Sequence, residues 1–326
     1  MSISGKRFLV TGGAGFIGSH IVEYLLQNNA KLVRVIDNLS TGYYENIRKF
    51  KQYHNFEFKY GDITNYKICD DVMENIDVVC HQAAIGSVPK SIKDPLTSHH
   101  SNVDGFLNVL HAAKENNIKR FVYASSSSVY GDDINLPKNE QSIGQQLSPY
   151  AITKYIDELY ANIYTRLYNM ECIGLRYFNV FGPKQDPHGP YAAVIPKFII
   201  SIINNKNPII NGDGTFSRDF TYVKNIVDAN IKSCLTNNKE CYGKIFNIGT
   251  NNQITILELV NLINHILQKN IDPVFGNMRE GDIQHSHADI TKAKTMLNYT
   301  PLVRFEDGLI ETIKYFQYNY NESYFE

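Results

Sequence analysis

The chain is short of the residues that build covalent or metal-held scaffolds. It has five cysteines in 326 residues, namely Cys69, Cys80, Cys172, Cys234 and Cys241. Their number is odd and no Cys-x-x-Cys occurs, so neither a disulfide framework nor a thiolate metal knuckle is expected. Inert thiols in a reducing compartment are the natural reading, and the expected localisation is cytoplasmic. An excess of one charge is also lacking: 32 Lys plus Arg face 33 Asp plus Glu, a formal net charge of −1. That excludes the basic footprint of a nucleic-acid binder and gives an anionic membrane nothing to attract. Long hydrophobic runs are missing too. The most apolar segment, Tyr191 to Ile203, contains Pro196 and Lys197 and is shorter than the roughly 20 residues of a spanning helix. Lys6 and Arg7 lead straight into a strand pattern, not into a signal-peptide core. No internal repeat or low-complexity tract occurs.

What is present is ordinary globular material, 43% apolar and 20% charged, and long enough for two packed lobes or one large domain. Arg7 to Thr11 reads as a buried strand, Gly12-Gly-Ala-Gly15-Phe-Ile-Gly18 as a turn, and Phe16 to about Leu26 as a helix. Strand, glycine turn and helix together form a dinucleotide-phosphate loop. Glycines let the backbone approach a pyrophosphate, and the helix N-terminus supplies donors and positive potential. The Gly-x-x-Gly-x-x-Gly spacing differs by one residue from the usual fingerprint. A second strand, Leu32 to Ile36, ends at Asp37, where an acid can bond both ribose hydroxyls and repel a 2′-phosphate. NAD is therefore expected over NADP.

The alternation continues with strands at Phe56 to Tyr60, Asp77 to His81, Arg120 to Ala124, Cys172 to Tyr177 and Lys244 to Ile248. Helical patterns separate them, notably Val103 to Asn116 and Pro149 to Tyr168. This order predicts an α/β fold, a Rossmann-type doubly wound parallel sheet of about seven strands. Ligands in such sheets sit at the carboxyl ends of the strands. After Gly182 the texture changes. Residues 1–182 are expected to form the dinucleotide-binding domain, with the chain returning to it around 220–250. Residues 183–326 are expected to form mainly a smaller C-terminal α/β substrate lobe. His99-His100 reads as a solvated helix cap, and His285 and His287 lack an ordered third or fourth ligand, so no metal is assigned.

Ser148-Pro-Tyr-Ala-Ile-Thr-Lys154 carries the chemistry. Ser148 suits a helix N-cap and Pro149 the first helical position. Tyr150 and Lys154, four apart, share one helix face. An ammonium beside a phenol favours the phenolate, so Tyr150 is a candidate general acid/base.

Together these residues resemble the extended short-chain dehydrogenase/reductase family over essentially the whole chain. The carriers are Gly12 to Gly18, Asp37, the serine run before Val129-Tyr130-Gly131, Tyr150 with Lys154, Arg176-Tyr-Phe-Asn179, and Arg279-Glu-Gly-Asp282. Within the family the chain is similar to UDP-sugar 4-epimerases, especially bacterial enzymes acting on UDP-N-acetylglucosamine and its uronic acid. The similar stretches are Ala83 to Pro89, Tyr191 to Pro196 and Gly212 to Asp219.

The resemblance implies a mechanism. Tyr150 takes the proton of the sugar's 4-hydroxyl while carbon 4 gives a hydride to NAD. Lys154 holds Tyr150 near its phenolate form and bonds the nicotinamide ribose, and Ser126 shares the proton transfer. The 4-keto sugar turns over and receives the hydride on its other face. The implied cofactor site comprises Gly12, Gly15, Phe16, Ile17, Asp37, Asn38, Ser40, Thr41, Gly42, Asp62, Ile63, Gln82, Ala83, Ala84, Ser125, Tyr150, Lys154 and Tyr177. The implied substrate site comprises Gly86, Ser87, Ser127, Ser128, Tyr150, Asn179, Ala193, Val194, Arg218, Arg279 and Ser286, with the two arginines on the diphosphate. Related dehydratases and decarboxylases carry an Asp or Glu in the serine motif. Ser125 to Ser128 has none, which argues for simple epimerisation. Epimerases specific for unacetylated sugars place a tyrosine at the position of Ser286, so a small residue here implies room for an N-acetyl group. A homodimer through the helices at Val103 to Asn116 and Pro149 to Tyr168 is also implied. UDP-glucose/UDP-galactose epimerisation, a net oxidoreductase on a nucleotide sugar and a non-catalytic NAD-sensing scaffold stand as alternatives. The last needs none of Tyr150, Lys154 and Ser126.

Overall fold

Strands covered on both faces read as unbroken apolar runs, and Phe8, Leu9 and Val10 are all buried. The computed structural model describes residues 2–188, 192–277 and 284–319. Seven strands build the centre: β1 (Arg7–Thr11), β2 (Leu32–Asp37), β3 (Phe56–Tyr60), β4 (Val78–His81), β5 (Arg120–Ser126), β6 (Glu171–Tyr177) and β7 (Lys244–Ile248). They pair in the order β7-β6-β5-β4-β1-β2-β3, every neighbour parallel. The sheet is thus the seven-stranded doubly wound type expected. Its order reverses between β1 and β4, which opens a crevice at their carboxyl ends.

Successive side chains of a strand point to opposite faces. Phe8 and Val10 enter one core with Ile21, Leu25 and Ile226, and Leu9 enters another with Phe106, Leu110 and Phe121. Helices α1 (Phe16–Gln27) and, later, α5 (Val223–Leu235) cover the first face. Helices α2 (Gly105–Glu115) and α3 (Pro149–Tyr168) cover the second. The turn from β1 into α1 needs glycine at two places. Gly12 has φ +67°, and a Cβ there would stand 2.7 Å from the Ala83 backbone. A Cβ on Gly18 would stand 2.1 Å from the Gly12 carbonyl oxygen. A side chain at either position would push α1 off the sheet.

One expectation is corrected on the second face. The helix read from Val103 is the end of a longer helical run that begins at Pro95, where Asp94 caps it through the Thr97 N–H at 3.0 Å. His99 and His100 lie inside that run, at the entry to a π-turn over His100–Asp104, and are not its cap. His100 instead pairs with Asp104 on the exposed side, at 2.7 Å.

A third core gathers Phe181, Ile199, Phe220, Leu259, Phe305 and Leu309. It is enclosed by α4 (Val194–Ile203), α6 (Ile256–Leu267) and α7 (Phe305–Asn319). Helix α6 opens on a capping box: Thr255 accepts from the Glu258 N–H, and the Glu258 carboxylate accepts from the Thr255 N–H. Asp219, fully buried, binds this lobe together. One carboxylate oxygen accepts from the Thr250 N–H and hydroxyl, both at 2.7 Å. The other accepts from the N–H groups of Asn251 at 3.0 Å and Ala288 at 3.1 Å. Burial still raises this carboxyl above its ordinary range. No helix among the described residues is long and apolar enough to cross a membrane.

Candidate active site

The loops after β1, β2, β3 and β4 at the carboxyl edge of the sheet line one groove of about 310 Å³. Gly12, Gly15, Phe16 and Ile17 line it from the β1–α1 turn, and Asp37, Asn38, Ser40, Thr41 and Gly42 from the end of β2. Asp62 and Ile63 follow β3, and Gln82, Ala83, Ala84 and Gly86 follow β4. Ile85 and Ser101 also line the groove and were not expected.

The Asp37 carboxylate is fixed by two backbone donors, Ala14 N–H at 2.9 Å and Leu39 N–H at 2.8 Å. Burial raises its pKa against those bonds. Burial also works on Asp62, but Thr64 and Asn38 donate to it and together hold its pKa below the usual carboxylate range. Gly15 caps α1 without a side-chain hydrogen bond, so the first-turn N–H groups stay open to an anion. Uncapped donors, a glycine floor that any Cβ would fill and an acid at the second strand end fit a dinucleotide carrying a free 2′-hydroxyl.

Below the groove the polar groups are tightly matched. The Thr11 hydroxyl accepts from the Gln82 and Ala83 N–H groups, both at 3.2 Å, and meets His81 Nδ1 at 3.0 Å. With both lone pairs taken, the hydroxyl proton points at Nδ1 and the ring proton sits on Nε2. His81 is buried beside Phe106 and Phe121, and burial, aided by the Lys154 charge, pushes its pKa down to about 3. Gln82, Tyr177 and Asn230 close a ring of hydrogen bonds at 2.7–3.1 Å. Asn230, on α5, gave no signal in the sequence because it meets Gln82 and Tyr177 only after the chain has wound twice through the sheet.

Helix α3 begins as its sequence dictates, with the Ser148 hydroxyl accepting from the Ala151 N–H at 3.2 Å and Pro149 in the first turn. Tyr150 is half-buried, and its N–H donates to Ser91 Oγ at 3.0 Å. Lys154 is 2% exposed, and its ammonium donates to the Ala124 carbonyl and to Asp157 Oδ2, both at 3.1 Å. Ser126 accepts from the Ser128 N–H at 3.1 Å, and the two hydroxyls meet at 2.9 Å. Ser127 is half-buried in the same 3₁₀ turn. Ser125 donates to Glu158 at 2.6 Å. Glu158 in turn takes two bonds at 2.8 Å from Arg176.

On the lobe side, Asn179 donates to the Asp219 carbonyl and to Ser286 Oγ, both at 3.3 Å. Ser286 is 8% exposed and bound through its N–H to the Ser217 carbonyl at 3.0 Å. Ala193 caps α4 with no side-chain bond, and Val194 is the first helical residue. Arg218 donates to the carbonyls of Ser217 and Gln284. Ser87 caps the short helix Val88–Lys93 through the Lys90 N–H. Arg279 and Tyr191 lie outside the described residues. No cluster of three or more His, Cys, Asp or Glu side chains converges among the described residues.

Groove, buried lysine and tyrosine define a nicotinamide-dependent enzyme of the short-chain dehydrogenase/reductase type. The profile of the NAD dependent epimerase/dehydratase family matches residues 8–249, and the chain belongs to that family. NAD is its cofactor. A putative UDP-glucose 4-epimerase of Methanocaldococcus jannaschii is 37% identical over 315 residues, 95% of this chain and 98% of that one. Two solved structures are similar throughout. A UDP-N-acetylglucosamine 4-epimerase from Methanobrevibacter ruminantium, in complex with UDP-N-acetylmuramic acid, is 41% identical with a TM-score of 0.92. That match covers 97% of this chain and 100% of that one. A UDP-glucuronic acid 4-epimerase from Bacillus cereus, with UDP-glucuronic acid and NAD, is 33% identical with a TM-score of 0.90, covering 96% and 100%.

The depressed pKa of His81 has a signed consequence. Its folded value of about 3 lies below the ordinary 6.5, so the unfolded chain takes up the proton first. The contribution of His81 to stability is complete above about pH 6.5 and is lost as pH falls towards 3. The slope is roughly 1.4 kcal/mol per pH unit. Between pH 6.5 and about pH 5 the wild type should lose about 2 kcal/mol more than His81→Gln. Urea unfolding at both pH values measures this, and equal losses in the two proteins would show that His81 is not held neutral.

Proposed function

We propose that the chain is an NAD-dependent UDP-sugar 4-epimerase whose sugar carries an N-acetyl group. It would interconvert UDP-N-acetylglucosamine and UDP-N-acetylgalactosamine, or the corresponding uronic acids. The observation that carries the N-acetyl preference is Ser286. It is a small residue, buried and hydrogen-bonded to Asn179 at the carboxyl edge of the sheet, not turned to solvent. A bulkier side chain there would fill space beside the sugar, and close-packed sites yield little. The similarity to the Methanobrevibacter ruminantium enzyme supports the same reading.

In this reading Tyr150 is the acid/base on the sugar's 4-hydroxyl, and its N–H bond to Ser91 fixes the start of α3. Lys154, held by Ala124 and Asp157, keeps positive charge beside the phenol. Ser126 is aimed by the Ser128 N–H and hydroxyl, which form a short polar line next to the reacting hydroxyl. Asn179 and the open N-terminus of α4 at Ala193 and Val194 bind the nucleotide, Arg218 pairs with the diphosphate, and Arg279, outside the described residues, is assigned the same role. Bound NAD supplies the hydride acceptor and donor for carbon 4. The serine turn holds no carboxylate that could drive elimination of water.

We also infer a homodimer. Phe106 and Leu110 of α2 face the core, so the outward apolar surface belongs to α3. Ile152, Leu159, Ile163 and Leu167 are exposed along it, and Ile92 and Leu96 are exposed on the helical segments Val88–Lys93 and Pro95–His99 that pack against α3. A stripe of this kind suits a self-complementary two-fold contact.

Four outcomes are expected. Tyr150→Phe should lower turnover by a factor of roughly 10² to 10⁴ and leave UDP-sugar affinity nearly unchanged. Retention of more than about a tenth of the rate would remove Tyr150 from the chemistry. In a panel of UDP-glucose, UDP-N-acetylglucosamine and its uronic acid, an acetylated sugar should give the highest kcat/KM. Ser286→Tyr should abolish turnover of acetylated sugars and spare any UDP-glucose activity. Equal effects on both would sink the N-acetyl assignment. Light scattering at micromolar concentration should return twice the chain mass, and the mass of one chain would refute the dimer.

A further inference from the structure

One turn beyond Lys154 stands an acid with no part in the proposed reaction. Asp157 has a fully buried side chain, and its Oδ2 lies 3.1 Å from the Lys154 ammonium. Its other oxygen, Oδ1, is buried without any hydrogen-bond partner. A pair kept only for stability would satisfy both oxygens, since buried, half-matched charges are poorer cores than apolar side chains. Burial raises the Asp157 carboxyl to about 7, with the Lys154 charge opposing the rise.

The surroundings leave Lys154 and Asp157 to each other. On α3 the neighbouring Glu158 is held by Arg176 of β6, two bonds at 2.8 Å, and by Ser125 of β5. Tyr123 of β5 and Cys172 of β6 are both buried, with their pKa values raised chiefly by burial. His81 of β4, which feels the Lys154 charge, is neutral. The helical run before α2 presents uncharged Asn102, bonded to Thr153. Of these groups only Asp157 pairs its charge with that of Lys154.

We propose that Asp157 is a positioning residue that sets how strongly Lys154 acts on Tyr150. When Asp157 is ionised it offsets the ammonium, and the Tyr150 phenol keeps its proton more firmly. When Asp157 is protonated the full positive charge of Lys154 favours the phenolate. The two acids therefore titrate as a coupled pair across Lys154, and the protonation of one weakens the hold of the other on its proton. This rests on the acid/base role of Tyr150 given above.

Asp157→Asn keeps the shape and removes the charge. From Asp157 to Tyr150 is seven residues along α3, about 10 Å. At an effective dielectric of about 20, one charge removed at that distance should move the acid limb of kcat down, by up to about one pH unit where Asp157 of the wild type is ionised. The profile is read on the NAD-loaded enzyme, with KM for the UDP-sugar changing less than about twofold. An unmoved limb with kcat scaled down equally at every pH would reduce Asp157 to a structural role and overturn the proposal. If the variant does not fold, the wild type carries the test. Tyrosines labelled with carbon-13 at Cζ, with Tyr150 assigned from Tyr150→Phe, should show a two-step titration for Tyr150, one step following Asp157. A single-step curve would overturn the coupling. That measurement needs no turnover, so a failed coupling and a failed Tyr150 assignment are told apart.

Discussion

A cation withdrawn from water must be given fixed acceptors, and Lys154 is the case on which the rest of this site depends. Its ammonium reaches the Ala124 carbonyl on β5 and the Asp157 carboxylate on its own helix. These bonds fix α3 against the strand end that also carries Ser125 and Ser126. Another buried cation, Arg176, the last residue but one of β6, repeats the device, bonding Glu158 of the same helix and lying 4.7 Å over the Tyr130 ring. Two anchored charges leave α3 little freedom to slide. Tyr150 inherits that rigidity, which the acid/base role proposed for it would require.

The lobe opposite is organised by an anion. Asp219 gathers N–H groups from Thr250, Asn251 and Ala288. It thereby draws the segments after β7 and before the last helices onto the short parallel pair of Val180–Phe181 with Thr221–Tyr222. The contact between Asn179 and Ser286 is a result of that gathering. In the proposed reading the sheet and α3 carry the chemistry, and the lobe would shape the sugar space. The two can vary separately, which fits a family whose members act on different nucleotide sugars.

Much of the plan could be read from the chain because it is set by local rules. Apolar runs of five or six residues between turns have one good solution, a strand buried on both faces. The glycine turn is constrained within seven residues by the close approach of Gly18 to Gly12. Thr255 with Glu258, and Ser148 with Pro149, mark helix starts by their own side-chain chemistry. The long helical run from Pro95 was less legible. His99 and His100 look polar enough for an end, yet a π-turn carries the helix through them.

The sequence by itself determined the class of fold, the cofactor loop and the spacing of Tyr150 and Lys154, because each depends on backbone sterics and periodicity over a few residues. Only the tertiary structure decided which distant groups meet. It brought Asn230 to Gln82 and Tyr177, placed Asp219 among its four donors, set Ser286 against Asn179, and left one oxygen of Asp157 buried without a partner. Those meetings depend on where strands far apart in the chain end on a shared edge, and no local pattern encodes that distance.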